Sequence, residues 1–162
     1  IIVRNKEGNI KTFEPGENVH ENGILKTTTL PSLIDNKLKK NAKQIAKKIV
    51  DNLNYIGVMG VEFFLKEHEL FVNEIAPRVH NSGHWTMDAS YSSQFQQHIR
   101  AIMDLPLIST ERHSDIVMYN LIGQLTSDLM SSELAKVYIY GKKASRPGRK
   151  MGHVNLIKKK GS

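Results

Sequence analysis

Apolar positions along this chain advance in two rhythms, and the changes of rhythm mark its elements. From Ile34 the set Ile34, Leu38, Ala42, Ile45, Ile49 and Leu53 steps by fours and threes, the spacing of one helix face. Ser32 followed by Asp35 predicts a capping box at its start, and Asn54 with Gly57 closes it. Upstream, residues 1–3 and 11–13 flank the turn-rich Lys6-Glu7-Gly8-Asn9 and predict a hairpin. Residues 14–31 show little periodicity and hold Pro15, Gly16 and Gly23, so a surface loop is expected. After the helix come two strands, 57–65 and 70–75, joined by Lys66-Glu67-His68-Glu69. Val61, Phe63, Phe64, Phe71 and Val72 mark that hairpin as well buried. A second helix is expected from Ser93, capped with Gln96, burying Phe95, Ile99, Ile102 and Met103 before Pro106. Short strands at 115–121, 137–140 and 153–157 follow, with no internal repeat or low-complexity tract.

Composition narrows the class. The chain has 162 residues, 40% of them hydrophobic, which is ordinary for a packed domain. It holds no run of 18 apolar residues, so a membrane span is not expected, and no signal peptide is recognisable. With no cysteine there is neither a disulfide framework nor a thiolate metal site, and the cytoplasm is the default address. Opening without methionine, inside a strand, suggests a fragment with an amino-terminal part missing. The net charge of +7 suits an anionic partner. Its lysines, however, cluster on the wet face of the first helix, between Lys142 and Lys150, and in the run Lys158-Lys159-Lys160. Few aromatics interleave with them, so a solvated surface with a local phosphate site is a better account than a nucleic-acid interface.

The densest chemistry lies at Asn73-Glu74-Ile75-Ala76-Pro77-Arg78-Val79-His80-Asn81-Ser82-Gly83-His84, directly after an apolar strand. A polar loop leaving the end of a strand is where sheet proteins commonly place binding chemistry. If the preceding hairpin turns about His68, pairing partners sum to 136, and Glu62 stands opposite Glu74. Opposed side chains share a face about 5 Å apart, so two carboxylates there would repel unless a cation lay between them. Mg²⁺ takes such oxygen ligands together with phosphates. Two solvated glutamates that never meet remain the alternative, since a slip of one residue sends them to opposite faces. A zinc site at His80 and His84 is disfavoured, because Asn81-Ser82-Gly83 does not favour the helix that would align them. Nor does an elbow pattern surround Ser82 to make it a nucleophile.

At these residues the chain resembles the ATP-grasp superfamily and, within it, the 5-(carboxyamino)imidazole ribonucleotide synthase family of purine biosynthesis. Gly60-Val61-Glu62-Phe63-Phe64 with Val72-Asn73-Glu74-Ile75-Ala76-Pro77-Arg78 is similar to the paired metal-binding strands. His80-Asn81-Ser82-Gly83-His84 is similar to that family's own signature, and Asn18-Val19-His20-Glu21-Asn22-Gly23-Ile24-Leu25 to its upstream loop. Tyr140-Gly141-Lys142 and Arg149-Lys150-Met151-Gly152-His153 are similar to its carboxy-terminal segment. Val79 departs from the family's usual second proline, and Ala76 from the metal-binding asparagine of many ATP-grasp enzymes.

The resemblance implies an α+β fold. Residues 1–105 would be the carboxy-terminal part of an ATP-grasp domain and 106–162 a small β-rich domain, with the amino-terminal domain and lid absent from the chain. It further implies a ligase that phosphorylates bicarbonate with ATP and carboxylates aminoimidazole ribonucleotide through carboxyphosphate. Glu62 and Glu74 would then hold Mg²⁺, with His20, Asn73 and Glu74 near ATP. Arg78, His80 and Asn81 would serve catalysis, and Lys142 and Arg149 the ribonucleotide phosphate. The whole enzyme would be a cytoplasmic homodimer binding neither nucleic acid nor membrane. Other ATP-grasp carboxylate–amine ligases, and a non-catalytic basic module binding anions or nucleic acid, are the competing readings. Without the resemblance, Lys142 and Arg149 read as an exposed basic loop.

Overall fold

A computed structural model describes residues 1–123, 127–158 and 161; Lys159 and Lys160 of the basic run lie outside the described residues. Its architecture is α+β, built on two antiparallel sheets. The first runs in the order β2 (Ile10–Thr12), β1 (Ile2–Arg4), β5 (Gly57–Lys66), β6 (Glu69–Ala76). The second runs β3 (Glu17–Glu21), β4 (Ile24–Leu30), β7 (Asp115–Ile122), β9 (Lys150–Lys158), β8 (Ala135–Ile139). Helices α1 (Asn36–Asn52), α2 (Thr86–Ala89), α3 (Gln94–Ile102) and α4 (Ser127–Met130) complete it. Because β4 pairs with β7, the carboxy-terminal strands extend the sheet that β3 and β4 begin. No helix among the described residues is long and apolar enough to cross a membrane.

The first hairpin forms as expected, with Ile2 opposite Thr12. The expected surface loop at 14–31 is instead the hairpin β3–β4. Asn22 and Gly23 both adopt positive φ, 50° and 74°, as a tight turn matched to strand twist requires. Leu25, Thr28 and Leu30 turn into the core, the step of three falling at a register shift in the β3–β4 ladder; that shift and the threonine run hide the strand from a hydropathy reading.

Helix α1 is capped by Asp35, whose carboxylate accepts from the Leu38 amide at 2.7 Å. Ser32 is not the cap: its hydroxyl donates to the Pro15 carbonyl at 2.9 Å. The buried stripe is Leu38, Ala42, Ala46 and Val50, rotated from the expected one, and Leu53 is exposed. Among the described residues, three packed groups stand out in the core. Phe13, Leu25, Leu30, Trp85, Ala89, Ile116 and Met118 lie between the second sheet and α2. Ile2, Ala46, Val50 and Met59 join α1 to the first sheet, and Val3, Val58 and Ala101 join α3 to it.

Two expectations about burial are corrected. The far end of the β5–β6 hairpin is open rather than well buried, with Phe64 62% and Phe71 50% exposed. Helix α3 has its expected cap, Ser93 accepting from the Gln96 amide at 3.1 Å, but it faces the other way. Gln94, Gln97 and Ala101 are buried, while Phe95, Ile99, Ile102 and Met103 point outward. Buried amides are tolerable when paired, and Gln97 donates to Ser92 Oγ at 2.8 Å and to the Ile108 carbonyl at 2.7 Å.

Candidate functional site

Glu62 does stand opposite Glu74, but not by the route the sequence suggests. The β5–β6 turn places Glu67 and His68 at positive φ and pairs Lys66 with Glu69, so partners near the turn sum to 135. Without interruption that register would set Glu62 against Asn73. A bulge between Glu62 and Phe63 leaves Asn73 without a cross-strand partner and resets the register. Bulges re-aim side chains in this way.

Three polar side chains gather on the pair. His80 Nδ1 lies 3.8 Å from Glu62 Oε1, and its Nε2 lies 3.4 Å from Glu74 Oε1. His20 Nε2 is 3.9 Å from Glu62 Oε2, and Asn18 donates to Glu62 Oε1 at 3.4 Å. The side chain of Glu62 is only 10% exposed, that of Glu74 50%. Burial lowers the His80 pKa from its ordinary value, against the upward pull of Glu62 and Glu74. Beside two carboxylates, a neutral imidazole is therefore favoured over a permanent counter-cation.

His80 caps a single 3₁₀ turn, Asn81–Gly83. Its Nδ1 meets Ser82 Oγ at 2.8 Å and accepts from the Ser82 amide at 3.4 Å, so Nε2 carries the proton toward Glu74. Asn81 Nδ2 is buried and, among the described residues, has no hydrogen-bond partner. Arg78 is exposed, its guanidinium on the Val79 carbonyl at 3.0 Å.

Strand β9 closes the other side. Lys150, to which the sequence pattern assigns no role, lies within electrostatic reach of Glu62, Glu74, Arg78 and Lys142, and burial lowers its pKa. Lys142 donates to the Lys150 carbonyl and lies 5.6 Å from the centre of the Tyr140 ring. Arg149 instead binds the Ala144 carbonyl at 2.9 Å. Successive residues of an extended chain point to opposite sides. Beginning the strand at 150 rather than 153 would have separated Lys150 from Arg149 in the sequence.

Below these lysines Phe95, His84, His153 and Tyr138 form a column of stacked rings, with centroid spacings of 5.7, 4.6 and 4.6 Å. Tyr140 Oη bridges His153 Nδ1 at 2.8 Å and His84 Nδ1 at 3.3 Å. Burial, with repulsion from His153 second, pushes His84 down to about 3, and burial pushes His153 down to about 4. His84 thus ties the polar loop to β9 and stands away from the glutamates.

A cleft of about 770 Å³ opens beside the pair, its walls including Asn18, Glu62, Phe63, Ser82 and Trp85. Arg78, His80 and Asn81 do not line it. Among the described residues no group of three or more His, Asp or Glu side chains is placed to hold a metal ion. Two opposed carboxylates do fit Mg²⁺ shared with a phosphate, which needs only one or two protein ligands.

The ATP-grasp domain family matches residues 1–95. The phosphoribosylaminoimidazole carboxylase C-terminal domain matches 116–162. The N5-carboxyaminoimidazole ribonucleotide synthase of Brucella melitensis is 49% identical over 162 residues, covering 98% of this chain and 45% of that protein. Its namesake in Bacillus subtilis is 44% identical over 98% of this chain and 43% of its own length. Among solved structures, N5-carboxyaminoimidazole ribonucleotide synthetase from Thermus thermophilus superposes with a TM-score of 0.92 at 41% identity, covering 97% of this chain and 44% of that one. N5-carboxyaminoimidazole synthase from Aspergillus clavatus, in complex with ADP and 5-aminoimidazole ribonucleotide, gives a TM-score of 0.90 at 34% identity, covering 96% and 45%. The chain therefore spans less than half the length of the relatives it matches. With paired strands, a polar loop and a carboxy-terminal sheet in the order these relatives share, the chain belongs to the ATP-grasp family.

Proposed function

We propose that this chain is the carboxy-terminal portion of an ATP-dependent carbon–nitrogen ligase that carboxylates 5-aminoimidazole ribonucleotide with bicarbonate. ATP phosphorylates bicarbonate to carboxyphosphate, and the ribonucleotide's exocyclic amine captures the carboxyl group with release of phosphate. The observation that carries this reading is the opposed pair Glu62 and Glu74 with His80 against both, in a chain 49% identical to a synthase of that name.

Glu62 and Glu74 would hold Mg²⁺ together with the nucleotide phosphates, and the ion would supply neutralisation of phosphate charge. Asn73, freed from pairing by the bulge, and His20, beside Glu62, serve the nucleotide. Arg78, His80 and Asn81 bind and orient the bicarbonate-derived group. A neutral His80 with Nε2–H outward donates a hydrogen bond without locking a carboxylate into an ion pair. Lys142 and Arg149 recognise the ribonucleotide phosphate, as charge-assisted donors do; the burial of Lys150 beside Lys142 adds a third cation to that side. The whole enzyme is a cytoplasmic homodimer. The division of the chain near residue 105 is supported by the separate matches to 1–95 and 116–162.

The test is made in the full-length protein. Glu62→Gln and Glu74→Gln keep size and hydrogen bonding while removing charge. Each should reduce bicarbonate- and ribonucleotide-dependent ATP turnover by about a hundredfold or more, with the thermal transition preserved. Near-normal turnover of both variants at limiting Mg²⁺ would remove the assignment.

A further inference from the structure

Gln94 opens α3 and is wholly buried, at 0% exposure. Its Nε2 donates to the His80 carbonyl at 2.7 Å, and its Oε1 accepts from the His80 amide at 2.9 Å. His80 has extended backbone angles, φ −126° and ψ 149°. The side-chain amide thus gives it the two bonds that a neighbouring strand would give. The clamp is braced in turn. The backbone N–H of Gln94 donates to Thr86 Oγ1 at 2.9 Å, and the Thr86 hydroxyl donates to the Gly83 carbonyl at 2.6 Å. A Cβ on Gly83 would stand 2.5 Å from Gln94 Oε1, so the turn after His80 closes directly upon this amide. From the other side, β5 approaches so closely that a Cβ on Gly60 would lie 2.7 Å from His80 Cβ.

A residue that only filled space would need no two-ended match to the N–H and C=O of one particular neighbour. An amide in this position can satisfy both groups in one orientation alone. Glutamate lacks the donor, asparagine is one methylene too short, and methionine has neither bond.

We propose that Gln94 is a positioning residue for the ligase reaction, clamping the backbone of His80 so that its imidazole is held between Glu62 and Glu74. It reaches no substrate itself, since it lies behind the loop, and it acts only through His80. The inference rests on the reading of His80 as part of the ligase site.

The experiment uses the full-length protein and the substitution Gln94→Met, which keeps length and apolar volume but abolishes both bonds. Bicarbonate-dependent ATP turnover should fall about tenfold or more, while the KM for ATP stays within about twofold. Adding Gln94→Met to His80→Ala should cost nothing beyond His80→Ala alone, because a residue acting through another has no effect once that other is gone. Independent, additive losses would overturn the proposal, as would a rise in the ATP KM equal to the loss in turnover. Gln94→Asn, which keeps the amide and perturbs the core less, should give a smaller loss of the same kind and replaces Gln94→Met if that variant does not fold. Hydrogen exchange of the His80 backbone amide separates this proposal from the functional reading beneath it. In the wild type that amide is bonded to the buried Gln94 Oε1 and should exchange slowly, and in Gln94→Met it should exchange about tenfold faster or more. Unchanged exchange in Gln94→Met sinks the clamp even in a protein with no ligase activity; faster exchange with turnover unchanged shows that the clamp exists but does not position His80 for catalysis, and overturns the proposal.

Discussion

A β-carbon at position 60 would stand 2.7 Å from Cβ and 2.8 Å from Cγ of His80, so the smallest residue on β5 sets where the imidazole can lie. The φ of Gly60 is not of the left-handed kind; glycine is needed there for space. Gly60→Ala should therefore fold but push the loop outward, costing about 1–3 kcal/mol as overpacking of a tight contact does. Chemical denaturation of the 162-residue chain would check it, and an unchanged midpoint would show that the loop yields freely. The nearby carboxylates were legible before any coordinates, because Glu62 and Glu74 sit in recognisable strand segments. Gln94 was not. A glutamine at the first turn of a helix reads as solvent-facing unless one knows that the His80 backbone lies within reach.

Between elements, β9 is fastened to the polar loop by rings whose charge state depends on pH. His84 is pushed down to about 3 and His153 to about 4, from 6.5, and the neighbours His80 and Lys150 act on His84 in the same direction. Folded values below the unfolded ones mean that the unfolded chain binds more protons in between. The stabilisation by neutral rings is thus complete above about pH 6.5 and is lost as pH falls toward about 4. For His153, 2% exposed, the loss between about pH 7 and about pH 5 should be on the order of 1–2 kcal/mol. Urea unfolding at the two pH values measures it. His153→Phe keeps a stacked ring without a titrating group, so it should flatten the dependence; the same slope in wild type and variant would refute this assignment. The bulge at Asn73 belongs to this scale as well. The pairing of Glu62 with Glu74 follows from an interruption in the β5–β6 ladder, which a turn centred on His68 would have produced without one.

Across the whole molecule, the outward face of α3 carries Phe95, Ile99, Ile102 and Met103, of which Ile99 is 54% and Met103 65% exposed. A face that buries little in this chain contributes little to its stability. Ile99→Glu and Met103→Lys should each move the unfolding free energy of the 162-residue chain by no more than about 0.5 kcal/mol. A loss of about 2 kcal/mol or more would mean that the face packs within the chain after all. Phe95 is left out of this test because its ring stacks on His84.

Periodicity and turn chemistry, which act over a few residues, determined α1, the first hairpin, the strands β5 and β6 and the Ser93 cap without help. The Asn22-Gly23 turn was equally present in the sequence, masked by the polar threonines of β4. Motif order also carried the family, since Glu62, Glu74 and the run from His80 to His84 keep their spacing whatever the packing. Only tertiary structure decided which face of α3 turns inward, because two glutamine side chains find backbone carbonyls there in segments outside the helix. It alone decided that Lys150 rather than Arg149 comes within reach of the glutamates, and that a bulge restores the carboxylate pair. Such choices depend on contacts between distant segments, and a local pattern holds no record of which partner will arrive.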